Sequence, residues 1–344
     1  MTTTNQHDHT PPRRIMRAAV AHAYGPPEVV RLADVPMPLV GELDVLVRIA
    51  ATTVSAADWR IRARAMPMGF GLISRLALGL RKPRLSILGT EFSGTVVETG
   101  KAVRRFRPGD AVVGYPAAGL ACHAEYRAIR EDGPLIRKPA SLSEIEAAAL
   151  SFGGTTALHF LRDKGQIRQG HRLLVIGASG SVGSAAVQIA RHFGAIVTGV
   201  CSGGNADLIH RLGAHEVIDY TCQDWLRPGK HYDLILDTVG AEKLSRARRA
   251  LVPDGRLLMV AAGLPQMLLA LAPRSDGRKA ISSLAPERAE DMQLLADLAE
   301  TGAFRPLIDR VYPLDDIVEA HRRVESRRKR GNVVIAVDSA IAPR

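Results

Sequence analysis

Seven consecutive residues constrain this chain more than any others: Gly177-Ala178-Ser179-Gly180-Ser181-Val182-Gly183. An apolar β-branched run, residues 172–176 (RLLVI), precedes them. A stretch with Ala186, Ile189, Ala190 and Phe193 on one helical face follows. Strand, glycine turn and helix in that order give the glycines three tasks. One closes a tight turn, one lets the backbone approach a pyrophosphate, and one lets helix and strand pack closely. The free N–H groups and dipole at the helix start favour an anion there. A glycine pattern without its flanking elements carries little weight, and here both flanks are present. The reading is a dinucleotide site built on Gly177, Ser179, Gly180, Ser181, Val182 and Gly183.

The surrounding sequence fits that reading. Apolar runs recur at 196–200 (IVTGV), 217–219 (VID), 233–237 (DLILD) and 256–260 (RLLMV). Their near-continuous apolarity predicts strands buried on both faces of a parallel, doubly wound sheet. Residues 1–151 differ. Short runs at 45–50, 93–98 and 111–114 are bounded by Gly, Pro and Asp, and they predict a barrel-like β domain. Helices are expected at 287–300 and 315–325, and a strand at 332–337. This last part is too short for its own core and is expected to return to the first domain. The predicted α/β organisation is therefore a catalytic domain of 1–151 and 286–344, with a flexible tail at 1–14. A dinucleotide-binding domain spans 152–285.

Composition narrows the function. No run of 18 apolar residues occurs in the 344, so neither a membrane span nor a membrane partner is expected. Three scattered cysteines do not make a disulfide framework, and a reducing, cytoplasmic setting is expected. The net charge of +11 comes in bursts, including 327–330. With only 4% aromatic residues to stack bases, these bursts read as solvated surface rather than a nucleic-acid site.

The second predicted strand of the parallel sheet tests the kind of dinucleotide. NAD sites commonly carry a carboxylate at its end to hold the ribose 2′-hydroxyl. Here Val200 is followed by Cys201-Ser202-Gly203-Gly204-Asn205, and the first acid is Asp207. Ser202 and Asn205 can donate to a 2′-phosphate, and His210 and Arg211 can add charge. NADPH is the expected cofactor.

Further landmarks are Ser55-Ala56-Ala57-Asp58, Leu88-Gly89-Thr90-Glu91-Phe92-Ser93-Gly94 and Phe106-Arg107-Pro108-Gly109-Asp110. With the glycine loop come Leu212-Gly213-Ala214, Val217-Ile218-Asp219-Tyr220 and Gly331-Asn332-Val333-Val334. Together they resemble the medium-chain dehydrogenase/reductase superfamily, and more narrowly its zinc-independent quinone oxidoreductase-like branch. The resemblance covers nearly everything from Met16 to Val337. It implies a GroES-like β-barrel catalytic domain and a Rossmann domain, with the active site in the cleft between them.

Zinc alcohol dehydrogenases of this superfamily carry Cys at the position of Ser55 and His at that of Thr90. Hydroxyls are not usual zinc ligands, so no metal is expected. Without a Lewis acid, reduction of a quinone or enone is the natural chemistry. The resemblance also implies cofactor contacts at Thr156, Ser202, Asn205, Tyr220, Ala262, Gly263 and Asn332. Asp58 is the best polar catalytic candidate, with holding the strand–helix junction as its other role. No tyrosine lies between Tyr24 and Tyr115, which argues against a thioester reductase. Residues 66–88 read either as a helix packed on the β domain or as a lid over the cleft. The expected partner is a small apolar conjugated carbonyl or quinone. An aldehyde or ketone reductase remains open, as does a non-catalytic NADPH-binding protein acting on RNA through its basic surface. Many members of the branch are homodimers, and the residues themselves fix no oligomeric state.

Overall fold

The computed structural model describes residues 14–240, 242, 244–270 and 276–342, so all of the expected flexible tail but Arg14 lies outside it. Strands β1 (Ile15–Ala21) and β2 (Val30–Pro36) form an antiparallel pair. The long strand β3 (Asp44–Val54) then runs through the centre of a larger sheet. It pairs antiparallel with β4 (Phe92–Thr99), which continues to β5 (Ala111–Gly114). Strand β6 (Tyr126–Arg130) also pairs with β3, and β7 (Leu135–Arg137) closes on β5. Two helices leave this sheet between β3 and β4: α1 (Ala56–Ala63) and α2 (Gly71–Leu78).

Ser55 starts α1 with a capping box. Its hydroxyl accepts from the Asp58 backbone, and the Asp58 carboxylate accepts from the Ser55 backbone. Helices α3 (Glu144–Ala148) and α4 (Ser151–Leu158) lead into the second domain.

There the expected parallel sheet is present. Its strands are β8 (Arg172–Ile176), β9 (Ile196–Cys201), β10 (Glu216–Asp219), β11 (Tyr232–Asp237), β12 (Leu251–Met259) and β13 (Lys279–Ile281). They are ordered β10-β9-β8-β11-β12-β13. Helix α5 (Ser181–His192) crosses from β8 to β9 and buries Ala186, Ile189 and Ala190 against the sheet. Helices α6 (Ala206–Arg211), α7 (Leu244–Ala247) and α8 (Leu264–Ala270) follow β9, β11 and β12. Strand order reverses between β8 and β11, so a crevice opens beyond the carboxyl ends of these two strands.

Helix α9 (Ala289–Glu300) packs on α4. The chain then returns to the first sheet through β14 (Ile308–Pro313), α10 (Ile317–Glu325) and β15 (Asn332–Ala336). Strand β15 runs antiparallel to β3, so the carboxyl-terminal segment completes the sheet that the amino-terminal part began.

The structure departs from the sequence reading at a few boundaries. Strand β12 starts five residues before the expected 256. It takes in Pro253, Asp254 and Gly255, with Asp254 at φ 61°. That irregular stretch coincides with a break in register against β11. Turn residues inside a strand mark such a bulge, which a residue-by-residue reading takes for a loop. Helix α10 starts later than expected because Leu314–Asp316 forms a 3-10 turn first.

Candidate active site

The cleft between the two sheets has a volume of about 1290 Å³. Its floor is the crevice of the parallel sheet. Ile176, Val200, Tyr220, Thr238 and Ala261 bring in the ends of β8 to β12. Gly177, Ser179, Gly180, Ser181 and Val182 line it as the turn into α5. The turn has little room for side chains. A Cβ on Gly183 would sit 2.1 Å from the Gly177 carbonyl oxygen. Gly177 itself has φ 81°, in the left-handed region that suits glycine. This is a cradle that backbone alone can form, and it fits a pyrophosphate at the start of α5.

The carboxyl-terminal segment is laced onto that turn. The Gly331 N–H donates to the Ser179 carbonyl at 2.8 Å, and Gly180 and Gly331 form a parallel bridge. The Ser181 hydroxyl donates to Asn332 Oδ1 at 2.6 Å, while Asn332 Nδ2 donates to the Leu307 carbonyl at 3.0 Å. The carboxyl-terminal segment thus forms one side of the glycine turn.

Of the residues singled out in the sequence, Gly177, Ser179, Gly180, Ser181, Val182, Ser202, Asn205, Tyr220 and Asn332 meet in this cleft. The others stand behind it. Gly183 lies under the turn. The Thr156 hydroxyl donates to the Phe152 carbonyl at 2.7 Å within α4. Ala262 is buried, and the Gly263 N–H donates to Gln266 at 2.7 Å; Ala261 is the residue of that strand end on the cleft wall.

Asp58 is fully buried and off the cleft wall. Its Oδ2 accepts from the Ser55 N–H and hydroxyl, both at 2.7 Å, and its Oδ1 accepts from the Gly89 N–H at 2.7 Å. With both oxygens engaged, Asp58 ties the start of α1 to the Gly89 turn. Of its two expected roles, this geometry matches holding the strand–helix junction.

The charge sought at His210 and Arg211 is elsewhere. Neither residue lines the cleft, whereas Arg327, Arg328, Lys329 and Arg330 all do. Arg330 donates to the Gly204 carbonyl at 3.2 Å, in the turn after β9. Lys329 donates to the Gly331 carbonyl, and burial of its amine pulls it down to about 8. Arg327 stacks over Trp59, 4.9 Å from the ring centre. Asp219, at the end of β10, gives Oδ1 to the Thr221 N–H and hydroxyl, while its Oδ2 faces Gly203 in the turn after β9. In the sequence this basic run read as solvated surface. The bridge between Gly180 and Gly331 is what brings it beside the glycine turn.

Residues 65–67 line the cleft mouth, but Ile73, Leu76 and Leu80 do not. These three are 55%, 60% and 64% exposed. The Ile73 and Leu76 face of α2 is therefore neither core packing nor a wall of the cleft.

The position of the zinc site in related alcohol dehydrogenases was tested on its donor atoms. The Ser55 hydroxyl is engaged with Asp58, and Thr90 presents only a buried hydroxyl without a partner. Glu91 Oε1 accepts from the Thr53 hydroxyl at 2.7 Å. Its Oε2 accepts from the Ser151 and Phe152 N–H groups at 3.0 and 2.7 Å. Two hydroxyls and a fully engaged carboxylate do not fit zinc. Among the described residues, no group of three or more His, Cys, Asp or Glu side chains is arranged to hold a metal.

A glycine-lined cradle at a sheet's switch point, beside a second β domain, is the architecture of a dinucleotide site such as nicotinamide-dependent oxidoreductases carry. Comparisons with known proteins carry this further. Residues 41–156 match the alcohol dehydrogenase GroES-like domain, and 212–335 match the zinc-binding dehydrogenase family. The chain is 31% identical to the mouse mitochondrial NAD(P)H oxidoreductase RTN4IP1, over 94% of this chain and 89% of that one. It is 27% identical to the chloroplast envelope quinone oxidoreductase homolog of Arabidopsis thaliana, over 94% and 98%. The solved quinone oxidoreductase of Coxiella burnetii superimposes with a TM-score of 0.84 at 28% identity, covering 94% of this chain and all of that one. The chain belongs to the medium-chain dehydrogenase/reductase superfamily, in its quinone oxidoreductase-like branch, and is an oxidoreductase. Among the described residues, no helix is long and apolar enough to cross a membrane.

Proposed function

We propose that this protein reduces quinones or α,β-unsaturated carbonyls with NADPH, without zinc. The observation that carries the cofactor choice is Arg330 on the Gly204 carbonyl, in a turn whose own residues bring no carboxylate to the end of β9. Arg328, Lys329 and Arg330 would neutralise a 2′-phosphate that Ser202 and Asn205 hydrogen-bond. Tyr220, 63% exposed at the cleft edge, would cover the adenosine end. The turn from Gly177 to Val182 would hold the pyrophosphate with its backbone N–H groups.

When bound, NADPH supplies a hydride. The donor set of Ser55, Thr90 and Glu91 offers no Lewis acid to polarise a simple carbonyl, so the acceptor has to be activated by its own conjugation. Such an acceptor takes the hydride pair and then a proton from water on its oxygen. Trp59, Met66, Pro67 and Phe152 give the cleft apolar walls that would orient a flat acceptor. The three free cysteines suit work in a reducing compartment such as the cytoplasm.

The test is NADPH consumption against a panel of quinones, enones and simple aldehydes. Turnover confined to the conjugated acceptors is expected. Turnover of aldehydes alone would overturn the acceptor class. Salt-dependent RNA binding with no turnover of any acceptor would overturn the enzymatic reading.

A further inference from the structure

Between Asp58 and Glu91 the chain contains no acidic residue and seven basic ones. Arg62 is buried in an ion pair with Glu325, and Arg64 is bonded to the Gly79 carbonyl. Arg75, Arg81, Lys82 and Arg84 are different: all four are exposed. No ion pair among the described residues engages them. They lie in α2 and in the loop after it, where Ile73 and Leu76 are exposed one helical turn apart and the exposed Leu80 and Leu85 (47%) follow. So many exposed large apolar side chains in one short segment call for an explanation.

The helix is firmly held with this face outward. The Tyr24 hydroxyl donates to the carbonyls of Leu78 and Gly79, at 2.8 and 3.0 Å, and Arg64 lies 3.7 Å over the Tyr24 ring. At the other end the Leu264 N–H donates to the Met68 carbonyl at 2.8 Å. Residues 65–67, just before the helix, line the cleft mouth.

We infer that α2 and the loop to Leu85 dock on the surface of an anionic phospholipid bilayer. An apolar ridge flanked by uncompensated cations is the pattern of a helix lying in a lipid interface. Lipid phosphates and phosphatidylserine carboxylates supply the charge that the chain itself withholds. A second copy of the chain would bring the same cations face to face, so charge disfavours self-association here. The sequence expectation of no membrane partner rested on the lack of a spanning segment, and a surface-bound helix needs none. Docking would bring the cleft mouth to lipid, where apolar acceptors dissolve. That consequence rests on the proposed function, whereas docking itself does not.

The test is co-sedimentation of the full chain with phosphatidylcholine vesicles, with and without about one-third phosphatidylserine, at low and high salt. Binding to the anionic vesicles, weak binding to neutral ones and release by salt are expected. Leu76→Glu, and separately Arg81→Glu with Lys82→Glu, should weaken anionic vesicle binding by roughly tenfold or more. Both should leave thermal stability and NADPH-driven reduction of a water-soluble quinone unchanged. A full chain that stays in the supernatant with anionic vesicles overturns the inference, including where an acidic protein or a second copy binds the face instead. Variants that bind vesicles as the parent does overturn it equally. Reduction of the soluble quinone is read separately, so failure of docking and failure of the enzymatic reading remain distinct.

Discussion

Glu91 offers a quantitative test of how the cleft is braced. It is fully buried, and burial pushes its carboxyl up from 4.5 to about 7 against the opposing pull of its three hydrogen-bond donors. The folded chain therefore holds this proton more tightly than the unfolded chain does. Stability from this group is full below pH 4.5, falls as pH rises through the interval to about 7, and is flat above it. At 1.36 kcal/mol per tenfold in proton affinity, the ionised group costs on the order of 3 kcal/mol at pH 8 and under about 1 kcal/mol at pH 5. Glu91→Gln keeps the shape, with its carbonyl facing the Ser151 and Phe152 N–H groups and its amide donating to Thr53. It removes the titration. Urea unfolding of both proteins at pH 5 and pH 8 reads the difference. The variant should gain on the parent by about 2–3 kcal/mol between the two pH values. Parallel pH profiles would refute the claim that Glu91 is held against its ionisation.

Other perturbations separate the parts of the site. Asp58→Asn faces an amide with N–H donors and should cost about 1–3 kcal/mol of stability, while kcat/KM of the folded protein changes little; a lost limb in the pH–rate profile with stability intact would restore a catalytic role. Gly183→Val drives a side chain into the Gly177 carbonyl and should abolish NADPH binding, read by fluorescence titration. Ser202→Asp should reverse the preference for NADPH over NADH, measured as the ratio of kcat/KM values. The Lys329 amine is pulled down to about 8, so NADPH affinity should decline as pH rises past 8 in the parent and not in Lys329→Ala. Prolonged chelation should leave quinone reduction intact; loss of activity together with stoichiometric zinc would contradict the donor-atom argument.

Much of the architecture was legible because its signals are local. Arg172–Ile176 and Ala111–Gly114 form strands at the limits read from the sequence. Apolar periodicity and bounding turn residues decide such elements without tertiary help. The glycine turn was legible for the same reason, since strand, turn and helix are contiguous. Strand β13 was not read, because three residues at a sheet edge carry no periodicity. The basic run at 327–330 was read as surface because a cation cluster in sequence is usually a solvated face. Its place at the cleft comes from the bridge between Gly180 and Gly331, which are distant in sequence. Asp58 drew attention as a polar residue near the cleft. Its role became clear only with the Gly89 N–H 31 residues away.

The central claim is that the cleft reads a 2′-phosphate through the basic segment beside the glycine turn. The most direct measurement is the dissociation constant of NADPH against that of NADH, for the parent and for Arg330→Ala, at low and high salt. The account predicts NADPH binding at least about tenfold tighter in the parent, a preference that shrinks with salt and with loss of Arg330. Equal affinities in the parent, or tighter NADH binding, would contradict it.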